Sequence, residues 1–162
     1  MSVQHTTSCG FFALIGAPNV GKSTLINHVV GAKVSIVSSK VQTTRTRVLG
    51  ITIRDQSQII FIDTPGIFSP KRRLDRAMVA SAWGGASDAD CVILLVDAKF
   101  GIDTETQVII DGLRKVNRKV IVAINKIDIV KKPVLLSLVA TLSAIEIFSE
   151  TFMISAETGD GV

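Results

Sequence analysis

Short runs of branched aliphatic residues, each bounded by glycine, proline or small polar residues, recur along the whole chain. Phe11–Ile15, Cys91–Val96 and Val120–Ile124 are almost uninterrupted. That is how strands buried on both faces of a parallel sheet read. Val48–Ile53 and Ile59–Ile62 flank the polar turn Asp55-Gln56-Ser57 and read as a hairpin. Phe152–Ile154 reads as a last short strand. Between these blocks lie four helical stretches: Lys22–Val30, ended near Gly31, then Ala77–Ala86, Glu105–Val116 and Pro133–Phe148. Asp103 or Thr104 suits the cap of the third helix, and Pro133 suits the first turn of the fourth. Strands alternating with helices predict an α/β domain of three layers. Its sheet is mostly parallel with one antiparallel edge strand, and helices cover both faces. Ligands of such sheets bind beyond the carboxyl ends of the strands.

The chain has 162 residues, which suits one domain, and no internal repeat or low-complexity stretch. Mean hydropathy is high at +0.44, but the longest aliphatic run near the middle, Val92–Val96, is far too short to span a bilayer. The opening MSVQHTTSCG carries no secretion signal. Cys9 and Cys91 alone favour a reducing cytosol over a disulfide framework. The net charge of +4 reads mainly as a solvated surface, although Arg45, Arg47, Lys71, Arg72 and Arg73 gather near the motifs below. His5 and His28 have no partners at metal-ligand spacing, and Trp83 and Cys91 read as packing residues.

Gly16-Ala17-Pro18-Asn19-Val20-Gly21-Lys22-Ser23 follows a strand and opens a helix, matching G-x-x-x-x-G-K-S/T. The glycines let backbone N–H groups curl around phosphate oxygens, and the helix N-terminus adds partial positive charge. Lys22 is placed for the β- and γ-phosphates and Ser23 for Mg²⁺, with Thr24 next in the helix. This makes the fold a P-loop NTPase. Asp63-Thr64-Pro65-Gly66 follows the second hairpin strand. Asp63 can hold Mg²⁺ through water, and the Gly66 N–H can meet the γ-phosphate. Asn125-Lys126-Ile127-Asp128 follows another strand. The Asp128 carboxylate can accept from guanine N1–H and the 2-amino group, donors that adenine lacks. Lys126 can lie along the base, and Asn125 can tie two loops together. Ser155-Ala156-Glu157 ends the last strand, with the Ala156 N–H placed for guanine O6. In the segment Lys40–Arg45, Thr44 or else Thr43 can add a hydroxyl to Mg²⁺ only when the γ-phosphate is present, so the segment senses GTP. Lys22, Thr44, Gly66 and Asn19 are the catalytic candidates.

These motifs in this order resemble the Era group of translation-factor-class GTPases. GAPNVGKSTLIN, QTTRTRVLGI, DTPGI, NKID and SAETG carry the likeness, together with Ala32–Ser38, from about residue 8 onward. The resemblance implies a GTP- and GDP-binding, slowly hydrolysing switch in small ribosomal subunit assembly and 16S rRNA maturation. It implies a cytoplasmic monomer, with peripheral association at the inner membrane face as a further expectation. It also implies a last helix after SAETG and a C-terminal KH domain that contacts 16S rRNA and the 30S subunit, neither found in residues 1–162. A Der- or MnmE-type GTPase is the nearest alternative, against which DTPG in place of DTAG argues. A nucleotide-gated binding module with incidental hydrolysis is the alternative of another class. Many switch GTPases orient the attacking water with a glutamine directly after D-x-x-G. Here that position is Ile67, and Gln58 lies too far upstream. In GTPases resembling this group, an asparagine at the place of Asn19 helps hold K⁺ against the phosphates.

Overall fold

The computed structural model describes residues 7–35, 37, 48–68, 70, 73–115 and 119–162. Six strands alternate with four helices: β1 (Ser8–Ile15), α1 (Lys22–Val30), β2 (Val48–Arg54), β3 (Ser57–Asp63), α2 (Arg73–Asp88), β4 (Cys91–Asp97), α3 (Thr104–Leu113), β5 (Lys119–Asn125), α4 (Lys132–Ser143) and β6 (Phe148–Met153). They form one sheet in the order β2-β3-β1-β4-β5-β6. Among the described residues only the edge pair β2–β3 is antiparallel. The central β4 is buried at every position, which is why its sequence CVILLVD shows no alternation.

The two sides of the sheet carry different helices. Gly50 of β2 faces α1, where an added Cβ would press on Ile26 and Val30. On the opposite side Ala13 of β1 and Ile62 of β3 pack with Ala89, just past α2. α3 lies beside α2, because the Trp83 ring fills the space over Gly112. The main core, including Leu14, Ile26, Leu94, Ile110 and Ile124, is almost wholly shielded from solvent.

Several boundaries differ from the sequence reading. The hairpin turn is two residues, Asp55 and Gln56, and Ser57 already belongs to β3. Asp55 takes the left-handed conformation such a turn needs, with φ 52°. α2 runs past both ends of Ala77–Ala86, through Gly84 and Gly85. α3 stops at Leu113, and the expected end at Val116 lies outside the described residues. The fourth helix does not reach Phe148. It closes at Ser143, and Phe148 opens β6, whose last residue is Met153 and not Ile154. Ile145, Ile147 and Phe148 pack on the core and so continue the apolar count past the helix end. β6 is an edge strand paired only with β5, so Ser149 and Glu150 stay exposed and conceal its first half.

Candidate nucleotide-binding site

The loops after β1, β3, β4, β5 and β6 meet at one edge of the sheet, at the carboxyl ends of the strands. The loop Gly16–Gly21 needs unusual backbone: Gly16 has φ 154°, Asn19 φ 61° and Gly21 φ 101°. At Gly21 a Cβ would overlap Asn125 Nδ2, so only glycine lets the two loops cross. Lys22 turns back on this loop and donates to Gly16 O at 3.1 Å and Ala17 O at 2.9 Å. Burial brings its ammonium down to about 8, with the negative charge of Asp63 acting the other way. Thr24 lies next in α1, at the edge of the cleft described below.

The Asp63 carboxylate is completely buried at the end of β3. Its Oδ2 accepts from Ser23 Oγ at 2.7 Å and also from Ser35 Oγ. Gly66 lies against the loop, where a Cβ would stand 3.0 Å from Pro18 Cα, and Ile67 N donates to Gly16 O at 3.0 Å. The Ile67 side chain is 2% exposed and belongs to the core. Gln58 sits near the far end of β3, accepting from Cys9 Sγ. The donor set of hydroxyl and carboxylate oxygens suits a hard cation. Among the described residues no three acidic, histidine or cysteine side chains gather as a metal cage. Mg²⁺ is usually held by one or two protein groups together with phosphates and water, and Ser23 with Asp63 are two such groups.

Asn125 is the central tie. It is 1% exposed, donates from Nδ2 to Val20 O at 2.8 Å and accepts from Ala156 N at 2.9 Å. One side chain thus joins the phosphate loop, the NKID box and the SAE loop. Lys126 adopts φ 66°, reaches Asn19 O at 2.7 Å and pairs with Asp97 Oδ2 at 2.7 Å. Residues Ile127–Ile129 form a single 3-10 turn that presents Asp128, exposed, to a cleft of about 200 Å³ shared with Gly21, Thr24, Ala156 and Glu157. The SAE loop is stiffened from within: the buried Ser155 accepts from Thr158 N, and Gly159 packs on His28.

The described motif residues therefore converge, while Thr43, Thr44, Arg45, Arg47, Lys71 and Arg72 lie outside the described residues. Asp97 was missing from the sequence reading, and Asn27 and Ser35 entered it only within the stretches GAPNVGKSTLIN and Ala32–Ser38, with no role of their own. Asp97 was detectable by the signal that gave Asp63, an acid closing a buried strand. Ser35 and Asn27 carry no such signal, since their contact depends on the chain folding back over α1.

The family described as 50S ribosome-binding GTPase matches residues 11–126. GTPase Era of Bradyrhizobium sp. (strain ORS 278) is 62% identical over 159 residues, covering 98% of this chain and 52% of that protein. GTPase Era of Sinorhizobium medicae is 57% identical over 155 residues, 96% of this chain and 50% of that protein. The chain spans about half the length of the curated relatives it matches. A crystal structure of Era in complex with MgGDPNP and nucleotides 1506–1542 of 16S ribosomal RNA is similar, with a TM-score of 0.88 at 41% identity, over 95% of this chain and 53% of that one. A single-substitution variant of Aquifex aeolicus Era bound to GDP·AlF₄⁻ gives 0.86 at 42% identity, over 93% and 52%.

Proposed function

The chain belongs to the 50S ribosome-binding GTPase family and is Era-type in sequence, and from that premise we propose that it binds GTP and GDP with Mg²⁺ and hydrolyses GTP slowly as a conformational switch. The observation that carries this reading is the Asn125 tie, which brings the phosphate loop, the Asp128 carboxylate and the Ala156 backbone to one cleft; the Ala156 N–H, expected for guanine O6, donates here to Asn125 Oδ1. Backbone N–H groups of residues 17–23 and the Lys22 ammonium would receive the phosphates. Ser23 and Asp63, with Thr44, would hold Mg²⁺, which neutralises phosphate charge when bound.

Ile67 is buried and apolar, so a glutamine-type water positioner is missing at that place, and turnover is slow. Lys22 and backbone donors are placed to meet the charge developing in the transition state, and Asn19 would help hold K⁺, which would supply further positive charge at the phosphates. In the whole protein the switch serves small-subunit assembly and 16S rRNA maturation in the cytoplasm, with a C-terminal KH domain as the RNA-binding part and peripheral contact with the inner membrane face as a secondary placement. The bound RNA of the Era relative supports this extension. No helix among the described residues is long and apolar enough to cross a membrane.

Phosphate release from GTP tests the reading, measured in K⁺ and in Na⁺ at equal ionic strength, with and without excess ATP. We expect slow turnover, faster in K⁺, with ATP unable to compete and the K⁺ advantage lost in Asn19→Ala. Competition by ATP would refute guanine selection. Equal rates in the two salts would remove potassium from the mechanism.

A further inference from the structure

The side chains around Asp63 form a closed circuit in which Asn27 and Ser35 have parts that the motif chemistry does not assign. Ser23 and Asn27 stand four residues apart on one face of α1. From that face Ser23 donates to Asp63 Oδ2 at 2.7 Å. Asn27 reaches the chain that follows the helix: its Oδ1 accepts from Val34 N at 2.9 Å and Ser35 N at 2.8 Å, and its Nδ2 donates to Ser35 O at 2.8 Å. Two of these three bonds grip Ser35 itself, which is 3% exposed, and Ser35 Oγ donates to the same carboxylate oxygen as Ser23. A carboxylate gripped from two sides by hydroxyls has little freedom to rotate. The groups that orient a metal-binding carboxylate tune its hold on the metal as much as the ligands do.

We propose that Ser35 is a positioning residue for the Mg²⁺ site: clamped by Asn27, it sets the Asp63 carboxylate so that the metal stays with the bound nucleotide. This rests on the Mg²⁺–nucleotide reading above. Asn27 acts through Ser35, so the two substitutions share one effect. Ser23 keeps its place in the metal site and is not varied.

The test is the release rate of a fluorescent GDP analogue from the protein, titrated with Mg²⁺ from an EDTA-buffered start. In the wild type, Mg²⁺ slows release with a defined midpoint. Ser35→Ala raises that midpoint by about tenfold and leaves release in EDTA unchanged. Asn27→Ala shifts the midpoint in the same direction, and the double variant shifts it no further than Ser35→Ala alone. Ser35→Cys, close in shape but a weak donor, falls between wild type and Ser35→Ala. Should Ser35→Ala fail to fold by circular dichroism, Ser35→Cys and Asn27→Ala carry the measurement. An unshifted midpoint overturns the proposal, and so does equal acceleration with and without Mg²⁺, which marks a general loosening of the loop. A wild type whose release ignores Mg²⁺ overturns the Mg²⁺ reading itself, a result distinguishable from a failure of Ser35 alone.

Discussion

Asp128 stands exposed beside the cleft it shares with Gly21, Thr24 and Ala156, held at that rim by the 3-10 turn and the left-handed Lys126. A carboxylate there can accept two hydrogen bonds from guanine. An amide at the same place accepts one and donates one, which matches the N1–H and 2-oxo group of xanthine. Asp128→Asn should therefore lose GTP and gain xanthosine triphosphate, with discrimination on the order of 10⁴ at stake. Direct titrations of the variant with fluorescent guanosine and xanthosine nucleotide analogues check it, and unchanged guanine preference would place base selection elsewhere. The type and spacing of Asp128, Lys22, Ser23 and Asp63 made them legible in the sequence. Ser35 was not, because a serine in a loop has no distinguishing neighbour until Asn27 pins it.

Lys22 gives a pH dependence with a definite sign. Its ammonium titrates near 8 in the folded protein against 10.5 in water, because burial disfavours the charge. Between these values the unfolded chain binds more protons, so this group makes the empty protein more stable as pH rises through that window. Phosphate binding needs the protonated form, so nucleotide affinity moves oppositely. The Kd for GDP should be nearly flat below pH 7.5 and weaken by about fivefold between pH 8 and 9, approaching tenfold per pH unit only above that. Lys22→Met should bind weakly with that dependence removed. A wild-type Kd constant from pH 7.5 to 9 would show that Lys22 is not the group taking up the proton.

At the scale of elements, caps and glycines set the boundaries that the sequence displayed well. α1 ends at Gly31 in the left-handed conformation, and α3 begins at Asp103, whose Oδ1 accepts from Thr106 N at 2.7 Å. Asp103→Ala should cost about 1 kcal/mol. For a chain of this size that lowers Tm by about 2–4 °C, read by a thermal melt. No shift would mean that α3 is held by its buried Ile109, Ile110 and Leu113 alone. The boundary between α4 and β6 was illegible for a related reason. No glycine or left-handed cap closes α4, whose C-cap Ala144 stays in the helical region. The apolar residues that follow serve the core from a turn and a strand instead. An edge strand with one partner needs no long apolar run, so periodicity alone extended the helix across it.

At the scale of the whole molecule, charge and aromatic placement bear on RNA. The net charge is only +4. The most exposed aromatics are Phe11 on β1, Phe100 beyond β4 and Phe152 on β6, at 41%, 65% and 44%. They stand on separate elements, and Phe100 already has Lys99 over its ring at 5.6 Å. Single-strand binders instead line a basic groove with successive stacking rings. This chain should therefore hold RNA only by scattered phosphate contacts, with the KH domain proposed for the whole protein supplying sequence selection. Titration of an oligonucleotide matching nucleotides 1506–1542 of 16S ribosomal RNA, the segment in the Era complex, should give weak binding. A Kd on the order of 10 μM is expected, the same for a scrambled sequence. About three phosphate contacts would give a log–log salt slope of roughly −2, so moderate salt should abolish binding. Tight binding that favours the native sequence over the scrambled one and survives moderate salt would place an RNA-reading surface on this domain, and the exposed Phe100–Lys99 rim would be the first place to mutate.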